Sequence, residues 1–228
     1  MADNDILAGL PFQKLNPEST ALLVIDMQKY FTEPGHPFDK MMQQFDPDGC
    51  KFYLNRVEQL VIPNIQRLQK LFRSLGACIV YTEFGSMQNN GSDMAIWARR
   101  INNLGQDMVG SSVFPPFSDP SCRVDARVGT NEGELIFQKS TSGPTNSTKM
   151  DHTLRVLGIK SVIVTGVVTE ICAAQTTREL GDRDFNALVV EDAFASMDET
   201  RHKSALETIG LTFGTVVSTD QAIALVQK

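Results

Sequence analysis

Cys172 is the residue of this sequence best placed for covalent chemistry, because it lies where a buried strand gives way to a helix. Residues 162–165 are apolar and β-branched, as in a strand buried on both faces, and the helical pattern that follows ends at Gly181. If Thr169 caps this helix, Cys172 lies in its first turn, where unpaired N–H groups and the helix dipole favour the thiolate. Position alone does not distinguish a reactive Cys172 from a small buried apolar cysteine, and the buried structural cysteine is the commoner case.

Two charged residues also follow strand patterns. Asp26 comes after the apolar run 20–25, and Lys139 comes after the short strand pattern 134–138. In a parallel sheet the carboxyl ends of the strands meet at one edge, so both side chains would approach Cys172. The Lys139 charge would favour the thiolate, and Asp26 would take the thiol proton and pass it to a leaving amine. Considered singly, Asp26 also suits a cap and Lys139 a solvated charge.

The order of the elements predicts an α/β fold. The predicted fold is a single-domain, Rossmann-like three-layer sandwich over residues 20–228, with a parallel six-stranded sheet and helices on both faces. An N-terminal arm at 1–19 is predicted to precede it. The predicted strands are 20–25, 77–82, 134–138, 160–165, 187–190 and 215–217. The predicted helices are 40–45, 55–75, 93–101, 146–157, 170–180, 199–209 and one that starts at 220. Segment 33–51 otherwise has the pattern of a loop, and 91–133 has no sustained period.

Composition excludes several classes of protein. The 228 residues carry a net charge of −6 without long runs of like charge, which argues against a nucleic-acid partner or a basic membrane-binding face. The N-terminus lacks a signal-peptide pattern and no apolar run is long enough to span a membrane, so we expect a cytoplasmic protein. The four cysteines form no CxxC pair and are expected to be reduced. No GxGxxG follows the first strand, so we predict no dinucleotide or other cofactor.

Six motifs in a fixed order resemble the isochorismatase-like cysteine hydrolase superfamily, which includes nicotinamidases, N-carbamoylsarcosine amidase and ureidoacrylate hydrolases. The motifs are LLVIDMQKYF at 22–31, YTEFGSM at 81–87, FQKST at 137–141, NSTKMDHTLRVLGI at 146–159, VTGVVTEICAAQTTREL at 164–180 and EDAF at 191–194. The resemblance implies a catalytic triad of Asp26, Lys139 and Cys172. It also implies a cis peptide bond between Val167 and Val168, and an oxyanion hole formed by the N–H groups of Val168 and Cys172.

The departures from the family pattern narrow this expectation. Nicotinamidases of the superfamily bind a metal through an Asp-x-His pair and a further His, whereas residues 82–88 here are TEFGSMQ and no Asp-x-His follows the first strand, so we predict no metal. Isochorismatases that cleave a vinyl ether lack the cysteine. The presence of Cys172 therefore favours hydrolysis of a C–N bond in a small amide, carbamoyl or ureido substrate, with release of ammonia.

Further expectations concern the pocket and the assembly. Phe31, Phe84 and Trp97 are candidate substrate-binding residues, although lone aromatic residues more often belong to the core. The resemblance implies a homo-oligomer, either a dimer or a tetramer. Three alternatives stay open, namely a vinyl ether hydrolase, a non-catalytic binding protein and a thiol redox sensor built on Cys172. The sequence does not name the substrate.

Overall fold

A parallel sheet of six strands forms the centre of the protein, whose computed structural model describes residues 14–226. The strand order is β3-β2-β1-β4-β5-β6, and every neighbouring pair is parallel. The strands are β1 Thr20–Ile25, β2 Cys78–Phe84, β3 Leu135–Lys139, β4 Ser161–Val167, β5 Asn186–Ala195 and β6 Thr215–Val217. The predicted α/β class and six-stranded parallel sheet are confirmed.

Helices cover both faces of the sheet. They are α1 Lys29–Thr32, α2 Pro37–Phe45, α3 Pro47–Arg56, α4 Ile62–Ser74, α5 Ile96–Val109, α6 Met150–Val156, α7 Ala174–Gly181, α8 Glu199–Thr212 and α9 Thr219–Val226. Strand β1 shows how the two layers form, because Leu22 and Val24 pack into one apolar cluster while Leu23 and Ile25 pack into the other. Successive side chains of a strand point to opposite faces, so a strand buried on both sides must be apolar throughout.

Several predicted boundaries are wrong. Segment 33–51, expected to be mainly a loop, holds α2 and the first half of α3. The helix predicted at 55–75 is divided by a π-helical turn, Val57–Val61, and Pro63 lies directly after this turn, in the first turn of α4. Helix α8 runs past Gly210 to Thr212. Helix α6 begins only at Met150 and has no side-chain cap from Asn or Ser.

The N-terminal segment is described only from residue 14. Residues 14–19 pack on the domain itself, because Leu15 is buried and its N–H donates to the carbonyl oxygen of Leu225 at 2.9 Å. Residues 1–13 of the predicted arm lie outside the described residues. Within residues 14–226, no helix combines the length and the apolar character that crossing a membrane requires.

Candidate active site

Asp26, Lys139 and Cys172 meet at the carboxyl ends of β1, β3 and β4. The Lys139 Nζ atom lies 2.7 Å from Asp26 Oδ2 and 3.4 Å from Cys172 Sγ. Asp26 and Lys139 are fully buried, and Cys172 is 5% exposed. Three residues that are far apart in the sequence therefore form one buried cluster, as the position of each after a strand predicts.

The neighbouring strand holds the Asp26 carboxylate. The Asp26 backbone has a φ of 51°, which is uncommon for a residue other than glycine, and its N–H donates to the carbonyl oxygen of Thr82 at 3.1 Å. The Thr82 hydroxyl in turn donates to Asp26 Oδ1 at 2.6 Å. One carboxylate oxygen is thus bound by Thr82 and the other by Lys139, so the orientation of the carboxylate is set from both sides. Our sequence reasoning did not identify Thr82.

Lys139 uses all three of its ammonium protons. Besides Asp26 and Cys172, Nζ donates to the carbonyl oxygen of Thr141 at 3.2 Å, and it lies 4.7 Å from the centroid of the Phe84 ring. Burial acts to lower the pKa of the ammonium, but the Asp26 charge and the contacts with Asp26 and Cys172 outweigh it and leave that pKa raised. Lys139 is therefore a permanent cation at the centre of the site.

The turn that carries Cys172 differs in detail from the prediction. The Val167–Val168 peptide bond is cis. A π-helical turn, Thr169–Ala173, follows directly, with Val168 as its N-cap residue and no side-chain cap. Cys172 is therefore the fourth residue of this turn, and the prediction that Thr169 is the cap is wrong. Within residues 14–226 the N–H of Val168 has no hydrogen-bond acceptor, which leaves it available for a ligand oxygen.

Thr169 instead belongs to a buried polar chain. Its hydroxyl lies 2.9 Å from Nδ1 of His202, and His202 Nε2 lies 3.2 Å from the Arg56 guanidinium. Because arginine only donates, Nε2 of His202 accepts, and Nδ1–H donates to Thr169. Burial, followed by the Arg56 charge, lowers the pKa of His202 to about 4. This neutral histidine holds the residue next to Val168, a role that our sequence reasoning did not foresee.

The ionisation of Cys172 also differs from the expectation that the site favours a thiolate. Burial raises the pKa of the Cys172 thiol, Lys139 lowers it, and Asp26 raises it again through its charge and a hydrogen bond. Burial prevails because the site lies far from water. The resting group is a neutral thiol, so an attack by sulfur requires a neighbouring group to take up its proton.

A cavity of about 160 Å³ opens beside Cys172. Its wall includes Phe31, Phe84 and Trp97, the three candidate pocket residues, together with Phe114, which our sequence reasoning missed. Phe84 and Trp97 stack with their centroids 5.5 Å apart and their planes 8° apart, and Phe114 meets Phe84 edge-on at 5.0 Å. These rings support one another, which gives the cavity a rigid aromatic wall.

Buried amide side chains hold the aromatic wall in place. The Gln28 amide accepts from the N–H of Phe84 at 2.8 Å and donates to its carbonyl oxygen at 3.0 Å. Asn102 Oδ1 accepts from the N–H groups of Val113 and Phe114 at 3.0 and 2.8 Å. Each amide thus fixes the backbone of a residue that lines the cavity.

The loop after β3 is tied to α7 by the buried carboxylate of Glu179. This carboxylate accepts from the N–H and the hydroxyl of Thr145 at 3.0 and 2.6 Å, and from Asn146 Nδ2 at 2.6 Å. Thr141, whose carbonyl oxygen binds Lys139, lies at the start of the same loop. Glu179 therefore connects the Cys172 helix with the segment that orients Lys139.

Residues 14–226 contain neither a cluster of metal ligands nor a disulfide bond. No three His, Cys, Asp or Glu side chains in that range are grouped so that they could hold a metal ion, and the absence of a metal stays a prediction. All four cysteines are free thiols.

Comparison with known proteins identifies the family of this chain. The chain is 23% identical over 207 residues to N-carbamoylsarcosine amidase of an Arthrobacter species, covering 89% of this chain and 69% of the relative. It is 26% identical over 210 residues to ureidoacrylate amidohydrolase of Methylobacterium radiotolerans, covering 89% and 77%. The structure of a cysteine hydrolase from Pseudomonas syringae matches with a TM-score of 0.75 at 23% identity, covering 95% and 97%. The isochorismatase domain model matches residues 20–221, so the chain belongs to the isochorismatase domain family.

Proposed function

We propose that this protein is a cysteine-dependent amidohydrolase that cleaves the C–N bond of a small amide, carbamoyl or ureido substrate and releases ammonia. The observation that carries the proposal is the buried contact of Lys139 with both Asp26 and Cys172 beside a cavity. The two curated relatives described above are named as an amidase and an amidohydrolase, which supports the same reaction class.

In the first half of the reaction, the Cys172 sulfur becomes acylated. Asp26 takes the thiol proton, Sγ attacks the substrate carbonyl, and the N–H groups of Val168 and Cys172 bind the developing oxyanion. Asp26 then gives its proton to the nitrogen, the C–N bond breaks, and ammonia leaves a thioester on Cys172. The proton transfer from Cys172 to Asp26 leaves the total charge of the triad unchanged, and the attack then moves the negative charge from sulfur to the substrate oxygen. The triad and the substrate together keep a constant charge, which avoids the cost of adding a buried charge to the site.

In the second half of the reaction, water replaces ammonia. Asp26 takes a proton from the water as its oxygen attacks the thioester carbonyl, and the proton passes to the departing sulfur. The products are the free carboxylic acid and the Cys172 thiol. Lys139 holds the Asp26 carboxylate throughout and stabilises negative charge on sulfur.

The nucleophile assignment is tested with Cys172→Ala and Cys172→Ser on a panel of small amides and ureido acids. Both variants are expected to keep the wild-type far-ultraviolet circular dichroism and thermal transition while ammonia release falls by at least 10³-fold. Cys122→Ala is the matched control, because Cys122 is also buried but lies outside the triad. Wild-type rates in Cys172→Ala would show that the sulfur is not the nucleophile.

Assembly and localisation extend the proposal. A homo-oligomer and a cytoplasmic location both stay predictions. Light scattering coupled to size-exclusion chromatography decides the first, and a monomer at micromolar concentration would contradict it.

A further inference from the structure

The cavity beside Cys172 is apolar over nearly all of its wall, and this restricts the substrate. Its larger side chains include Phe31, Met41, Trp97, Phe114 and Met197, and among residues 14–226 its only charged side chains are Glu170 and Arg201. We propose that the substrate is an uncharged primary amide whose acyl group is apolar and about the size of one six-membered ring. This inference rests on the amidohydrolase function proposed above.

The size of the acyl group follows from the volume of the cavity. The cavity measures about 160 Å³. An engineered cavity of about 150 Å³ with apolar walls binds benzene. A phenyl group or a short branched alkyl chain therefore fills the site, while the attached carboxamide reaches Cys172. A two-ring acyl group exceeds the space.

The apolar character of the acyl group follows from the residues of the cavity wall. Beside the aromatic rings, a buried heteroatom of the acyl group would face Phe84 and Phe114, which carry no hydrogen-bond donor, or Trp97, whose single donor is the indole N–H at the edge of its ring. A polar atom that loses its water without gaining a partner weakens binding by roughly fivefold to a hundredfold. A phenyl ring is thus preferred to a pyridyl ring of the same shape.

Discrimination against negative charge follows from Glu170. Its Oε1 accepts from the Ser196 hydroxyl at 3.0 Å, whereas its Oε2 is buried and has no hydrogen-bond partner within residues 14–226. An ionised carboxylate has no proton to donate, so it repels an anionic substrate and attracts only an N–H or O–H group. Arg201 carries the opposite charge, but it is exposed and its field is screened by water and salt. Because its Oε2 atom is buried, the half-buried Glu170 carboxylate is less screened than Arg201 and has the larger effect inside the cavity.

Two matched pairs of amides test the proposal through ammonia release by the wild-type protein. Benzamide and nicotinamide differ by one ring atom, and we expect kcat/KM to be at least about tenfold higher for benzamide. Isovaleramide and succinamate differ by a carboxylate, and we expect kcat/KM to be at least about 100-fold higher for isovaleramide. Equal or reversed ratios in either pair would overturn the proposed substrate class.

Variants assign these preferences to residues. Glu170→Gln keeps the shape of the side chain but removes its charge, and it is expected to raise the succinamate-to-isovaleramide ratio of kcat/KM at least about tenfold. Arg201→Met is the control for the other charge and is expected to change that ratio less than about threefold. The opposite pattern, with succinamate hydrolysis lost in Arg201→Met and unchanged in Glu170→Gln, would show that the cavity selects carboxylates.

Binding separates this inference from the proposed reaction. Trp97 is the only tryptophan of the chain and lies in the cavity wall, so its fluorescence reports occupancy without turnover. In Cys172→Ala we expect benzamide to change this fluorescence with a Kd at least about tenfold below that of nicotinamide. Equal Kd values would refute the apolar preference. The same preference with no ammonia release by the wild type from any of the four amides would refute the amidohydrolase function but leave the pocket assignment standing.

Discussion

Replacing Lys139 by methionine tests whether the ion pair in the centre of the site holds the fold as well as the chemistry. Lys139 Nζ and Asp26 Oδ2 are 2.7 Å apart, and both side chains are 0% exposed. At an effective dielectric constant of about 20, unit charges at this separation attract by about 6 kcal/mol. The desolvation of both groups offsets much of that attraction, yet removing one partner leaves the other charge buried alone. Such a loss typically costs about 3–5 kcal/mol.

We therefore expect Lys139→Met to lower the free energy of unfolding at pH 7 by about 4 kcal/mol. The double variant Lys139→Met/Asp26→Asn removes both charges, and it is expected to recover about 2 kcal/mol of that loss without recovering any activity. The recovery is incomplete because the hydrogen bond from Lys139 to Thr141 and its contact with the Phe84 ring are lost in both variants.

Urea denaturation followed by circular dichroism measures these differences, and Lys149→Met serves as a control for loss of an exposed lysine. If Lys139→Met lost less than about 1 kcal/mol, or if the double variant were less stable than the single one, the buried ion pair would be refuted. Ammonia release measured on the same samples separates stability from catalysis, since the double variant should fold and stay inactive.

Two further predictions concern the backbone and the pH response. Gly166→Ala is expected to cost at least about 3 kcal/mol of stability or to prevent folding, because Gly166 has a φ of 119° and the added Cβ would lie 2.1 Å from the Ile25 carbonyl oxygen. Gly158→Ala is the control: Gly158 has a φ of 74° and no atom within 4 Å of the added Cβ, so the change should cost only about 1 kcal/mol in the same urea titration. His202 has a folded pKa of about 4, below its ordinary value of 6.5, so its contribution is fully present above about pH 6.5 and is lost as the pH falls toward 4. We expect the wild type to lose roughly 2 kcal/mol over this range after allowance for solvent screening, and His202→Asn to lose less; parallel stability curves would refute the buried neutral histidine.

The sheet and the clustering of Asp26, Lys139 and Cys172 were predictable because short-range patterns determine them. Continuous apolar runs identified the strands, the predicted bounds of β1 and β6 match the structure, and Asp26 directly follows β1. The parallel topology then brings the strand ends together without further information. The motif order identified Lys139 and Cys172 for the same reason, since each lies within a few residues of a strand end.

The cavity wall was less predictable because long-range contacts build it. Phe114 lies in segment 91–133, whose apolar residues show no sustained helix or strand period. Its backbone is held by the buried side chain of Asn102, a contact that no local pattern reveals. Thr169 has the local pattern of a helix cap, but His202 is 33 residues further along the chain and engages its hydroxyl instead. The protonation of Cys172 depends on burial, which the position of a residue in a helix does not reveal.

The position of the Lys139 ammonium 4.7 Å from the centroid of the Phe84 ring bears on how this protein would be engineered. Phe84 belongs both to the cavity wall and to the surroundings of the Lys139 ammonium, so under the proposed mechanism exchanging it would change substrate fit and reaction rate together. Trp97 and Phe114 line the cavity without contact to Lys139 among the cation–π pairs of residues 14–226. A library meant to alter specificity should therefore diversify Trp97 and Phe114 and keep Phe84 constant.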